Sequence, residues 1–300
     1  MLNVDPSQLA ALSEVLRTGS FDRAAAVLSV TPSAISQRIK ALEERLGTVL
    51  IRRGQPCTGT AAGQRLLRHA EEVALLEHAL AADLGPVPGA TGVHTVRIAA
   101  NADSLATWLP EALAAASLAA PGLLFDVTLD DQDHSAEWLR RGEVAAAVTS
   151  HADPIQGCDS LTLGALRYHA SASPGFMVRH FPDGISAEAC AKAPMLTFNR
   201  KDELQSRWLS ARFKPPPAPP THFLPASQAF VDAAKLGLGW GMNPEQLLRV
   251  PLANGELALL DVAQPLDTPL YWQSIRAARP ALAPLTRAIR EVAQQQLRVG

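Results

Sequence analysis

Two groups of residues in this 300-residue chain have types and spacings suited to chemistry. The first is Thr31, Ser33, Ser36, Gln37, Arg38 and Lys40, followed by the paired Arg52 and Arg53. Ser33, Ser36, Gln37 and Lys40 recur at helical spacing, and such hydroxyls, amides and cations donate and accept at base edges and phosphates. The second is Asn101, Asp103, Ser104 and Thr107 at the start of an expected helix, where hydroxyls and backbone donors suited to a carboxylate stand beside an acid. A carboxylate in a closed cleft wants a cation, so this combination fits a zwitterion, with Asp103 on its α-ammonium or on a side-chain cation. Asp131, among Asp130, Asp131 and Asp133, is the choice for a cationic tail, and Thr149 and Ser150 add hydroxyls. Ser227 and Phe230 open a later helix, and Trp240 lies in Gly237-Leu238-Gly239-Trp240-Gly241, where glycines let a backbone approach a ligand. Each residue of the second group also has an ordinary reading: Asp103 as a helix-start charge, 130–133 as a solvated loop, Trp240 as core.

Other chemistries find little support. No phosphate-binding loop, H-E-x-x-H or G-x-S-x-G motif occurs, and the eight histidines lack metal-ligand spacing, so neither enzyme activity nor a metal or cofactor is expected. Cys57, Cys158 and Cys190 are odd in number, far apart and never paired as C-x-x-C, as in a reduced cytoplasm. The amino terminus carries no basic-then-apolar leader and no run of roughly twenty apolar residues occurs, so neither export nor a membrane is expected. The net charge of -2 conceals an asymmetry. Residues 1–68 hold nine Lys and Arg against five Asp and Glu, placing positive charge where DNA contact needs it.

The elements that must position the first group are short helices. Ile35, Ile39, Leu42 and Leu46 form one apolar stripe, leaving Ser33, Ser36, Gln37 and Lys40 on the opposite face. Thr31 and Pro32 start this helix and Gly47 stops it. Phe21, Ala24, Ala25 and Leu28 give a preceding helix a compact face. A first helix opens at Asp5-Pro6, where Gln8 can complete a capping box. Leu50–Arg53 and Thr58–Thr60, around Gly54-Gln55-Pro56, read as a two-stranded wing whose arginines reach phosphates or the minor groove. From Ala61 to about Leu84 a long helix repeats Leu66, Val73 and Leu80 at sevens, with Leu76 between, as a short coiled-coil seam. Packing on its own domain is the alternative.

Gly85–Gly92 is a linker by composition. Beyond it strands and helices alternate as in an α/β domain: strands at Thr95–Ala100, Leu124–Leu129 and Val144–Thr149 with helices between. Further strands are expected at Arg167–Ser173, Met195–Phe198, Gly239–Met242 and Leu270–Ile275. Helices are expected near Asp202–Phe213, Ala229–Leu236 and Ala281–Leu297.

The runs AAAVLSVTPSAISQRIKALEERLGTVLIRR and TGTAAGQRLL resemble the amino-terminal signature of LysR-type transcriptional regulators. NADSLATWLP, LRRGEV and LYW are similar to segments of the ArgP/LysG branch, which senses lysine or arginine. The resemblance spans nearly the whole chain. It implies an α+β multidomain protein with a winged helix-turn-helix at 1–60, a linker and dimerisation helix at 61–85, a hinge at 86–92 and an effector-binding domain at 93–300. That domain would resemble type 2 periplasmic-binding proteins, with lobe I at about 93–165 and 266–300 and lobe II at about 166–265, the chain crossing twice. It further implies promoter DNA, a homodimer or homotetramer and RNA polymerase as partners, and an amino-acid exporter gene as target. A LysR-type regulator of another small carboxylate, or an architectural DNA-binding protein without an effector, are the alternatives.

Overall fold

The computed structural model describes residues 4–84, 94–129 and 135–299. The chain divides into two compact units, Met1–His94 and Thr95–Gly300.

The first unit is a winged helix-turn-helix. Helices α1 (Pro6–Thr18), α2 (Phe21–Val27) and α3 (Pro32–Leu46) are followed by strands β1 (Ile51–Arg52) and β2 (Thr58–Gly59) and by helix α4 (Ala61–Leu84). Local chemistry sets the helix ends. Asp5 accepts from Ser7 N–H at 2.7 Å, Thr31 Oγ1 from Ala34 N–H at 3.2 Å, and left-handed Gly19 and Gly47 close α1 and α3. Gln8 does not complete a capping box: it is 9% exposed and its Oε1 has no partner, because it points into the bundle. The core holds Leu12, Val15, Ile35, Ile39, Leu42, Leu50 and Leu66. Burying each of the larger side chains contributes about 2 kcal/mol. In the wing Ile51 faces Gly59 and Arg52 faces Thr58. Gly63 is the one position of the first α4 turn where a side chain cannot enter, since a Cβ would overlap the Leu50 carbonyl oxygen. Leu66 is 9% exposed in this core, so the apolar seam of α4 begins beyond it; Leu76 and Leu80 are 40% and 58% exposed.

The second unit follows with β3 (His94–Ala100), α5 (Ala102–Ala106), α6 (Leu109–Ala119), β4 (Leu123–Leu129), α7 (Ser135–Arg140), β5 (Ala146–Thr149) and the long β6 (Cys158–Ala172). Then come α8 (Pro174–His180), α9 (Ala187–Lys192), β7 (Met195–Thr197), α10 (Leu204–Arg212), β8 (Thr221–Phe223), α11 (Ser227–Lys235), β9 (Gly241–Pro244), α12 (Glu245–Ala253), β10 (Ala258–Leu259), β11 (Leu266–Ile275) and α13 (Ala283–Gln296). The seven-stranded sheet runs β10-β6-β11-β5-β3-β4, with β9 also on β6; β7 and β8 form a parallel pair of their own.

Two strands make the link between the lobes. β6 and β11 pair antiparallel from Cys158 opposite Ile275 to Tyr168 opposite Leu266. The first half of β6 lies beside the part of β11 that pairs with β5, and its last residues pair with β9 and β10. Between Leu270 and Tyr271 the register shifts opposite Leu163 and Gly164, whose φ of 122° only glycine adopts readily. The carboxyl-terminal end packs against this crossing: Ala165 and Arg298 exchange backbone hydrogen bonds at 2.8 and 2.9 Å, and Arg298 holds Glu245 on α12 at 2.7 and 2.9 Å.

Three helices, α8, α9 and α12, lie where no element was expected. Only the second half of β6 carried a strand signal. The linker at 85–92 lies outside the described residues.

Candidate DNA-binding surface and effector cavity

Helix α3 presents its polar face outward. Thr31, Ser33, Gln37 and Lys40 are exposed, Ser36 and Arg38 half-buried, while Ile35, Ile39 and Leu42 on the other side are 0–3% exposed. Among the described residues Lys40 pairs with Glu44 alone, at 3.7 Å with both ends well exposed, an arrangement weak enough for a phosphate to displace. Glu43 anchors the helix to the wing by accepting from Leu50 N–H at 2.7 Å and Ile51 N–H at 3.3 Å. Arg52 and Arg53 are exposed, and the Arg53 guanidinium sits 5.6 Å from the Phe21 ring centroid. A helix face and a pair of arginines held on one rigid unit are what base reading and phosphate contact require.

The second unit holds a partly open cavity of about 380 Å³ between its lobes. One wall consists of Asn101, Ala102 and Asp103 after β3, Ser150 and His151 after β5, and Thr268 and Pro269 on β11. The other is Phe198, Asn199, Lys201, Asp202 and Glu203 of the loop before α10, with Leu204 and Arg207 of α10. Asn101 caps α5 by accepting from Ser104 N–H at 2.6 Å, which leaves its Nδ2 without a partner although the residue is 3% exposed. Thr268 Oγ1 is equally buried and unpartnered. Such groups are costly unless something bonds them.

Asp103 joins the lobes. Its Oδ2 accepts from the Tyr168 hydroxyl at 2.8 Å and its Oδ1 from the Ser227 hydroxyl at 2.6 Å. Burial pushes its carboxyl above the usual carboxylate range, the nearby Asp202 charge adds to this, and the two hydroxyl bonds only partly offset it. Asp202 is bound into its own loop, accepting from Phe198 N–H and Leu204 N–H, both at 3.0 Å.

Two family profiles cover this architecture: the one described as bacterial regulatory helix-turn-helix protein, lysR family, matches residues 6–64, and the one described as LysR substrate binding domain matches residues 90–298. The chain belongs to the LysR family of transcriptional regulators. LysG of Mycobacterium tuberculosis is 46% identical over 296 residues, covering 97% of this chain and 94% of that protein. The crystal structure of ArgP from Mycobacterium tuberculosis superposes with a TM-score of 0.76 at 44% identity, covering 98% of each chain. Full-length LysG from Corynebacterium glutamicum, solved with arginine bound as effector, gives 0.67 at 38% identity, covering 98% of this chain and 99% of that one. These relatives are named as regulators rather than enzymes, and this LysR-type chain is a DNA-binding transcriptional regulator.

Placed on the regulator's structure, the sequence-derived effector residues separate. Asn101, Asp103 and Ser150 line the cavity. Ser104 is fully buried behind it, with an unpartnered Oγ. Thr107 donates to the Asp103 carbonyl at 2.6 Å, and the buried Thr149 accepts from His151 N–H at 2.8 Å; both hold backbone rather than face the cavity. Ser227 reaches the site through Asp103. Phe230 and Trp240 are corrected to core residues. Phe230 packs with Leu196, Val231 and Leu248, and the fully buried Trp240 lies against Trp208 with ring centroids 5.3 Å apart. The flanking glycines serve that packing: a Cβ at Gly241 would lie 2.5 Å from Phe230, and one at Gly239 2.9 Å from the Pro194 carbonyl. Asp131 lies outside the described residues. The loop 198–203, Arg207, His151 and Thr268 were missed. The turn residues Asn199 and Asp202 were the available signal: Asn199 Oδ1 accepts from Lys201 N–H at 2.8 Å and stiffens the wall.

Proposed function

We propose that this regulator binds a basic amino acid, lysine or arginine, in the interlobe cavity, and that binding alters how paired DNA-binding units grip a promoter. The observation that carries the reading is the composition of the cavity: the unpartnered Asn101 amide and Thr268 hydroxyl stand on the wall that also holds Asp103, and Asp202 and Glu203 stand opposite. Asn101, Thr268 and Ser150 are assigned to the effector carboxylate, and Asp103 to its α-ammonium, whose charge offsets the cost of keeping that carboxylate ionised. The arginine-bound relative supports the ligand class.

Thr31, Ser33, Ser36, Gln37, Arg38 and Lys40 read the major groove, and Arg52 and Arg53 hold the backbone. The functional form is a homodimer or tetramer in the cytoplasm, with RNA polymerase as a further partner. A gene for an exporter of the same amino acid is the target such a sensor suits. Among the described residues no helix is long and apolar enough to cross a membrane. The effector must favour one arrangement of the assembly over another, since equal affinity for both shifts nothing.

Calorimetry of the full chain tests the effector. Lysine or arginine should give saturable heat and glutamate none; absence of heat with both basic amino acids overturns the reading.

A further inference from the structure

We infer that Glu203 receives the side-chain cation of the effector and so sets the preference for a basic amino acid over a neutral one of the same shape; this rests on reading the cavity as an amino-acid site. Three carboxylates line the cavity among the described residues: Asp103, Asp202 and Glu203. Two are already committed. Asp103 accepts two hydroxyls, and Asp202 accepts two backbone N–H groups that fix the loop.

Glu203 is different. It occupies the N-cap position of α10, where its carbonyl accepts from Arg207 N–H at 2.8 Å, but its carboxylate makes no capping bond, is exposed on the wall, and has no hydrogen bond or ion pair among the described residues. The wall opposite supplies the other pole, where the Asn101 amide and Thr268 hydroxyl are each 3% exposed and unpartnered. A ligand whose carboxylate meets those groups projects its side chain toward the second lobe. There the local cations are Lys201 and Arg207, balanced by Asp202 and Glu203. Arg207 is one helical turn from Glu203 without pairing with its carboxylate, and even an exposed pair at that spacing would be worth only a few tenths of a kcal/mol, so Arg207 does not hold Glu203 against a ligand cation. A carboxylate on a flexible three-bond stem also reaches cations of different length, which suits both lysine and arginine.

The test compares arginine with citrulline, its uncharged isostere, by calorimetry on the full chain of wild type, Glu203→Gln and Asp131→Asn. In wild type arginine should bind at least about tenfold more tightly than citrulline, as expected for a hydrogen bond to a charged group. Glu203→Gln should remove most of that preference and leave citrulline affinity unchanged, the latter showing that the cavity is intact. A preference that survives in Glu203→Gln overturns the assignment, as does its loss in Asp131→Asn with Glu203→Gln unaffected. Equal weakening of both ligands in Glu203→Gln also overturns it. Failure of wild type to bind either basic amino acid instead overturns the amino-acid reading, and the inference with it.

Discussion

Asp103 joins the two lobes through its carboxylate, and on the proposed reading the same side chain also recognises the effector. Its carboxyl is held above the ordinary carboxylate range by burial, so the folded protein binds a proton there more tightly than the unfolded chain does. The contribution to stability is full below the unfolded value, about 4, and is lost as pH rises through the folded value. Asp103→Asn keeps a group that Tyr168 and Ser227 can bond and removes the ionisation. The melting temperature of that variant relative to wild type is therefore expected to rise as pH is taken from the ordinary carboxylate range to neutrality, measured without effector. A difference that is flat or falls with pH contradicts the burial argument. Residue by residue, the sequence displayed Asp103 and Asn101 because acid, amide and hydroxyl stand together after a strand. It did not display Thr268 or Arg207, whose place at the cavity depends on distant segments meeting. It misdirected at Trp240, because glycines that make room for Phe230 and Leu196 look the same in a sequence as glycines that make room for a ligand.

Among the elements, we propose that α3 and the wing divide the work of DNA contact. On this proposal Gln37, exposed on the outer face of α3, distinguishes bases, whereas Arg52 in β1 would meet phosphate charge alike on every sequence. Gln37→Ala should weaken specific binding by about 1–3 kcal/mol while leaving non-specific binding nearly unchanged. Arg52→Ala should weaken both and reduce the salt slope by about 1. Fluorescence anisotropy over a salt series separates them, and identical behaviour of the two variants removes the division. These elements were legible because helix periodicity, Thr31, Pro32 and Gly47 act locally. Helices α8, α9 and α12 were not: two are only seven and six residues long, and the third contains Pro251, which reads as a breaker.

For the molecule as a whole, the apolar residues left on α4 matter most. Leu66 is taken up by the winged-helix core, while Leu76 and Leu80 remain on the surface of a helix about 36 Å long. A second α4 would bury them and bring two copies of α3 to two half-sites. Leu80→Glu is expected to lower the mass measured by light scattering to that of a smaller assembly and to weaken operator binding, with arginine affinity of the full chain unaltered; an unchanged mass rules out this seam. The alternation of strands and helices made an α/β domain legible. The route of β6 and β11 between the lobes was not, since a strand that passes from one hydrophobic environment to another shows no single period, and Gly164 at its bend interrupts what pattern there is.

That bend gives the carboxyl-terminal end an uncommon place. Arg298 is stitched to Ala165 and to Glu245, and Gln296 accepts from Gln246 through its carbonyl while donating to Glu111 on α6. The tail is thus fastened to both halves of the fold at the strand that joins them. For anyone building a biosensor on the proposed effector response, a fluorescent protein or affinity handle fused there would load the strand pair that joins the lobes, and the fusion is expected to shift the dose response it was meant to report.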